Sequence, residues 1–166
     1  MHIPIAQPSL GNEESAAVLA VLASGTIAQG PVTAAFEEEF AAYCGVPHAV
    51  AVNNGTAALH AALLAAGVGP GDEVIVPAFT FFATASSVSM CGARPIFADV
   101  DPVTATIDPA DVLEKVGPKT KAIIGVHLYG QPCDAGAIRE ICIDKGLVFI
   151  EDAAQAHGAE YRGRRT

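Results

Sequence analysis

Short runs of branched apolar residues alternate with alanine-rich stretches of helical length along most of this chain. The runs are nearly continuously apolar, which is typical of strands buried on both faces. Strands that alternate with helices form βαβ units, so the pattern predicts an α/β fold, a mostly parallel sheet with helices on both faces. The predicted strands are residues 49–52, 73–76, 95–98, 121–126 and 147–150.

Helices are predicted between these strands and before the first of them. In open parallel sheets, ligands bind beyond the carboxyl ends of the strands, so the chemistry is expected in the residues that follow each strand. The predicted helices are residues 11–24, 32–44, 56–66, 81–91 and 134–145, with a weaker helical turn at 111–116.

Charge and hydropathy exclude several classes of protein. The 166 residues include 18 Asp or Glu and 9 Lys or Arg, a formal net charge of −9, which makes a nucleic-acid partner unfavourable. The longest apolar run, residues 57–66, is well short of the roughly 18 residues of a membrane span. The first residues carry no export signal, so we expect a cytoplasmic protein that does not enter a membrane. The four cysteines form no Cys-x-x-Cys pair, which argues against a zinc site.

A tight glycine turn follows the first predicted strand and opens directly into a helix. The backbone N–H groups after Gly55 and the hydroxyl of Thr56 would converge at the positive end of the helix dipole, which suits a phosphate. An ordinary helix cap by Asn54 or Thr56 is the alternative.

Three aromatic residues, Phe79, Phe81 and Phe82, follow the second predicted strand. A flat ligand could stack on one of them, and packing in the core is the alternative. The third strand leads into Asp99 and Asp101, which could suggest a metal site, but Asp-Pro in a loop favours turn chemistry. We therefore predict no metal.

Asp152 comes two residues after the last predicted strand, in an apolar, alanine-rich setting. A carboxylate there is costly unless it meets a cation or a donor, and a protonated ring nitrogen would be such a partner. Gln155 could donate to an oxygen of the same ring. A helix cap is the alternative for Asp152, and a structural role is the alternative for His127 and His157.

A phosphate cradle, a stacking aromatic ring and a carboxylate facing a ring nitrogen together describe a pocket for pyridoxal 5′-phosphate (PLP). A carboxylate that keeps the pyridine nitrogen protonated makes the ring an electron sink. The constellation is more specific than any of its parts.

The chain resembles the sugar aminotransferases of the DegT/StrS family, PLP enzymes of the aspartate aminotransferase fold type. By position, the resemblance implies that Thr56 and Ala57 bind the phosphate, beside Gly55 of the glycine turn. It further implies that Phe81 stacks on the ring, Asp152 binds the pyridine nitrogen and Gln155 binds the phenolate oxygen. The motifs that carry it are Ala28-Gln29-Gly30-Pro31, Asn54-Gly55-Thr56-Ala57-Ala58-Leu59, Gly71-Asp72-Glu73-Val74-Ile75, Pro77-Ala78-Phe79-Thr80-Phe81, Val126-His127-Leu128-Tyr129-Gly130 and Ile150-Glu151-Asp152-Ala153-Ala154-Gln155-Ala156-His157-Gly158-Ala159.

The resemblance further implies a homodimer that transfers an amino group from glutamate or glutamine to a keto sugar of a nucleotide-sugar. Residues 1–166 would then be the N-terminal segment and part of the PLP-binding large domain, without the small domain. The family's Schiff-base lysine follows the last motif, and none of Lys115, Lys119, Lys121 and Lys145 has that context. We therefore expect no catalytic residue and no activity in these 166 residues alone. A PLP-dependent sugar dehydratase of the same family and a non-catalytic remnant remain alternatives.

Overall fold

The computed structural model describes residues 7–166, which divide into two compact units between Ala51 and Val52. The first unit holds helices α1 (Asn12–Ser24) and α2 (Pro31–Cys44), both of which were predicted. A glycine with positive φ follows each helix and ends it. No helix within residues 7–166 combines the length and apolar character that crossing a bilayer requires.

The predicted strand at residues 49–52 is wrong, because this segment has no regular secondary structure. The N–H of Ala51 donates to Glu37 Oε1 at 2.8 Å, so a side chain takes the place of a neighbouring strand. Branched apolar residues make a segment suitable for a strand, but a strand forms only where another strand pairs with it.

The second unit is built on a four-stranded sheet in the order β2-β1-β3-β4, with every neighbouring pair parallel. A short antiparallel hairpin, β5–β6, follows it. The other four predicted strands and the predicted helices are confirmed, with ends shifted by a few residues at most. The elements are α3 (Gly55–Ala65), β1 (Glu73–Pro77), α4 (Ala83–Met90), β2 (Arg94–Ala98), α5 (Pro109–Lys115), β3 (Thr120–Val126), α6 (Ala135–Lys145), β4 (Val148–Asp152), β5 (Glu160–Tyr161) and β6 (Arg164–Arg165).

Each face of the sheet carries its own core. Val74 and Val76 pack with α3 and α4 on one face, whereas Ile75 between them packs with α5 and α6 on the other. The same alternation occurs along β3, where Ile123 and Ile124 belong to opposite cores. The predicted helices on both faces are thus confirmed, and they explain why the strands are apolar at nearly every position.

All four strands run in the same direction, so the sheet has an amino edge, where they begin, and a carboxyl edge, where they end. Helix α3 and strand β1 are each about 16 Å long and are joined by the short connection 66–72. The end of α3 therefore lies at the amino edge, and its beginning, at Gly55, lies at the carboxyl edge.

Candidate functional site

The beginning of α3 carries both a helix cap and open backbone donors. Asn54 Oδ1 accepts the N–H of Ala57 at 2.9 Å, so capping by Asn54 is confirmed. Within residues 7–166, the N–H groups of Gly55 and Thr56 have no acceptor, and both lie at the positive end of the helix dipole. An anion could bind these two donors directly, whereas Ala57 would first have to release Asn54.

Exposed aromatic rings follow β1 at the carboxyl edge. The side chains of Phe81 and Phe82 are 72% and 79% exposed in this chain, so the core-packing interpretation is wrong for both. Phe79 lies edge-on to the ring of Tyr129, with centroids 6.5 Å apart, and this contact joins the segment after β1 to the segment after β3. A flat ligand at this edge would find an aromatic face without displacing the core.

Asp152 is the last residue of β4 and is half-buried. Its Oδ1 accepts the N–H of Ala154 at 3.1 Å, and turns rather than a helix follow, so the helix-cap interpretation is wrong. Ile150, two residues earlier, packs against the core under α3 and α4. Because side chains alternate along a strand, Asp152 projects toward the same face. Asp152 and the open donors of α3 therefore share one edge and one face of the sheet.

Gln155 is oriented by a backbone donor. Its Oε1 accepts the N–H of Tyr129 at 2.9 Å, which connects the turn after β4 to the loop after β3. A peptide N–H can only donate, so the oxygen of the amide must face Tyr129 and the NH2 group must face elsewhere. The donors of the Gln155 amide therefore point away from the N–H of Tyr129.

His127 lies directly after β3 and is fully buried, as a structural histidine would be. Its Nδ1 accepts the N–H of Cys133 at 3.1 Å, and its Nε2 lies 3.4 Å from Glu151 Oε1 without hydrogen-bond geometry. The His127 imidazole holds the pKa of Glu151 below its usual value; Arg139 and Arg164 act in the same direction, and burial opposes them.

Neither the nearby cysteine nor the acidic loop after β2 suggests further chemistry. Burial raises the pKa of the Cys133 thiol to about 12, so it stays protonated at neutral pH and is a poor nucleophile. Asp101 Oδ1 accepts the N–H groups of Val103 and Thr104, which confirms that this carboxylate shapes a turn. A cavity of about 600 Å³ lies between this loop, the loop after β3 and the β5–β6 hairpin, but no predicted site residue lines it.

The structure thus brings Thr56 and Asp152 to one face of the carboxyl edge, places Phe81 in the segment after β1 at that edge, and connects Gln155 to the loop after β3. The contribution of Tyr129 is absent from the sequence-based prediction. Tyr129 has φ of +54°, a conformation that residues with a Cβ rarely adopt. The glycine that follows it was the available signal for a tight turn.

The sequence profile of the DegT/DnrJ/EryC1/StrS aminotransferase family matches residues 8–166. The chain belongs to this family. The resemblance drawn from the motifs is therefore confirmed, and it extends over nearly the whole chain.

Named relatives and solved structures agree with this assignment. GDP-perosamine synthase of Caulobacter vibrioides is 50% identical over an aligned length of 166 residues, and the alignment covers 99% of this chain and 45% of that protein. DesV of Streptomyces venezuelae has a TM-score of 0.90 at 50% identity, covering 93% of this chain and 42% of that one. Spr1654 of Streptococcus pneumoniae was solved in forms with PLP and with pyridoxamine phosphate (PMP). It has a TM-score of 0.95 at 33% identity, and the match covers 100% of this chain and 46% of the Spr1654 chain. The chain thus spans less than half the length of these relatives.

Proposed function

We propose that residues 1–166 form the cofactor-binding part of a PLP-dependent sugar aminotransferase, comprising the N-terminal segment and part of the large domain. The whole protein would act as a cytoplasmic homodimer that moves an amino group from glutamate or glutamine to a keto sugar of a nucleotide-sugar. GDP-perosamine synthase and the transaminase from Streptomyces venezuelae, at 50% and 48% identity, support this class of substrate. The observation that carries the proposal is the shared edge and face of Asp152 and the beginning of α3.

The groups at the carboxyl edge fit PLP in chemistry. Two open N–H groups, at Gly55 and Thr56, suit its phosphate, and the exposed face of Phe81 suits its ring. The carboxylate of Asp152 suits a protonated pyridine nitrogen, and the amide NH2 of Gln155 suits a phenolate oxygen.

Each residue would have a distinct task in the reaction. When bound, PLP supplies an electron sink for the negative charge that develops at the substrate carbon. Asp152 would hold a proton on the pyridine nitrogen, Gln155 would donate to the phenolate oxygen, and Phe81 would stack on the ring. The hydroxyl and N–H of Thr56 and the N–H of Gly55 would hold the phosphate, and the N–H of Ala57 would join them once it releases Asn54.

The lysines of this chain support the further proposal that residues 1–166 bind the cofactor but do not transfer amino groups by themselves. All four lie toward the amino edge. Lys115 ends α5 beside Asp111, and Lys145 ends α6 beside Asp144. Lys119 and Lys121 flank the first residue of β3. A lysine that bears the cofactor must reach the opposite edge.

Titration with pyridoxamine 5′-phosphate tests the cofactor proposal, because this form carries an amine and binds without a lysine. We expect saturable binding, followed by ligand fluorescence, that PLP displaces. Asp152→Asn should weaken binding about 10- to 100-fold, because the amide cannot provide a charge-assisted hydrogen bond to the pyridine nitrogen.

Asp72→Asn is the matched control, because this carboxylate lies at the amino edge, where its Oδ2 accepts the N–H of Gly69 at 3.0 Å. It should leave the affinity unchanged. Binding that never saturates, or equal affinities in the two variants, would contradict the proposal. Amino transfer by the 166-residue chain alone would contradict the proposal of inactivity.

A further inference from the structure

The loop after β3, residues 128–133, is closed at its base by the ring of His127. The N–H of Cys133 donates to His127 Nδ1 at 3.1 Å, while the backbone N–H of His127 donates to the carbonyl of Asp152 at 3.0 Å. The imidazole is fully buried, so water does not compete for either bond. His127 therefore connects both ends of the loop to the end of β4.

The acceptor role of Nδ1 determines the state of the ring. An imidazole nitrogen that accepts a hydrogen bond carries no proton, so the proton of neutral His127 is on Nε2. That nitrogen faces Glu151 Oε1 at 3.4 Å, and the other carboxylate oxygen lies 3.6 Å from Arg139 Nη2. Glu151 and Asp152 are adjacent on β4 and project to opposite faces. His127 thus contacts Glu151 on the face of the sheet opposite to the candidate site.

The closed loop presents one backbone donor to that site. Tyr129 adopts the left-handed conformation, and its N–H donates to Gln155 Oε1 at 2.9 Å. Gly130 passes close to the carbonyl of Gln155. Because a Cβ disfavours the conformation of Tyr129, the loop needs contacts elsewhere to keep it, and the bond from Cys133 to His127 is such a contact.

We propose that His127 is a positioning residue, whose Nδ1 closes the loop so that Tyr129 holds Gln155 with its amide NH2 toward the cofactor oxygen. This inference rests on the proposed function, because it assumes that Gln155 contacts the cofactor. The ring of His127 touches no reacting atom and acts through Cys133, Tyr129 and Gln155.

Two substitutions of His127 separate its acceptor from its bulk. In His127→Asn the amide oxygen can take the place of Nδ1, so the affinity for pyridoxamine phosphate should stay within about threefold of the parent chain. His127→Leu fills much of the space but accepts nothing, and it should weaken binding about tenfold. His48→Leu, on an exposed residue of the first unit, is the control and should leave binding unchanged.

A double-mutant cycle with Gln155→Ala distinguishes positioning from general support of the fold. Once the amide is gone, its orientation no longer matters, so His127→Leu should cost almost no further affinity. Additive losses, equal losses in the Asn and Leu variants, or an unchanged affinity in a folded His127→Leu would overturn the proposal.

Nitrogen-15 NMR of the His127 imidazole tests the proposal on the parent chain itself, without a ligand and without any substitution. The neutral ring of His127 should be the Nε2–H tautomer, and the Nδ1–H tautomer would overturn the proposal. If the parent chain does not bind pyridoxamine phosphate, the proposed function fails and the role of Gln155 fails with it. Normal binding with additive losses would remove only the role of His127.

Discussion

The two edges of the same sheet differ in how their polar groups are satisfied. At the amino edge, Glu73 pairs with Arg94, Thr120 Oγ1 accepts the N–H of Gly117, and Asp72 accepts from Gly69. These contacts end strands and shape turns. At the carboxyl edge, by contrast, open N–H groups and exposed aromatic rings accompany a buried histidine.

The difference shows where this fold departs from what stability alone requires. The exposed rings of Phe81 and Phe82, the left-handed Tyr129 and the open N–H groups at the start of α3 contribute little to folding, and these features lie at the same edge. Parallel sheets place their ligands there because the strand ends and helix N-termini converge at that edge. The carboxyl edge is therefore the candidate site on structural grounds that do not depend on the relatives of the chain.

The largest effect on stability is expected from Gly125→Ala, next to the carboxyl edge. A Cβ on Gly125 would lie 2.9 Å from Phe149 and 3.0 Å from Cys133 Sγ, so both side chains must move. We expect the free energy of unfolding to fall by about 1–3 kcal/mol, measured by urea denaturation. Gly117→Ala is the control at the amino edge, where no atom lies within 4 Å, and it should raise stability by less than about 1 kcal/mol or leave it unchanged. Equal losses of unfolding free energy in the two variants would contradict the predicted difference between the two edges.

A smaller effect, on affinity rather than stability, is expected from Phe81→Ala. Loss of one stacking face should weaken pyridoxamine phosphate binding by about 1 kcal/mol, or about fivefold, while the unfolding free energy stays within about 0.5 kcal/mol because the ring is exposed. Phe82→Ala changes a neighbour of similar exposure and should leave binding unchanged. If only Phe82→Ala lost affinity, the stacking residue would be Phe82 and not Phe81.

The sequence predicts the sheet well because a strand buried on both faces is a nearly continuous run of apolar residues. Ile75 and Val76 serve opposite cores, so a run of apolar residues marks the strand without reference to distant contacts. The failure at residues 49–52 has the complementary cause. Pairing with another strand is a long-range property, and local composition does not record it.

The site is only partly predictable for a similar reason. Asp152 and Thr56 are recognisable because their residue types and positions after apolar runs suggest chemistry. Tyr129 contributes a backbone N–H that every residue except proline possesses, so its identity does not reveal the bond to Gln155. The acceptor role of His127 Nδ1 depends on the path of a six-residue loop and is likewise invisible in the sequence.

A pH-dependent effect is expected from Glu151, behind the carboxyl edge. Its pKa is below the usual value in the folded chain, chiefly because of His127, so its stabilising contribution is present above the unfolded pKa of about 4.5 and is lost as the pH falls through the folded pKa. Glu151→Gln should therefore flatten the dependence of unfolding free energy on pH below that unfolded pKa. Glu140→Gln, on the exposed side of α6, is the control. If the unfolding free energy of Glu151→Gln fell more steeply with acid than that of the parent chain, the predicted direction of the effect would be wrong.

The smallest effect is expected at the amino edge, from Arg94→Met. The Nε of Arg94 lies 3.7 Å from Glu73 Oε1, and the arginine side chain is 74% exposed, so water and salt screen the pair. The unfolding free energy should change by less than about 0.5 kcal/mol, and pyridoxamine phosphate should bind as it does to the parent chain. A loss of affinity in this variant would mean that charge at the amino edge influences the candidate site, and the contrast between the two edges would then no longer locate function.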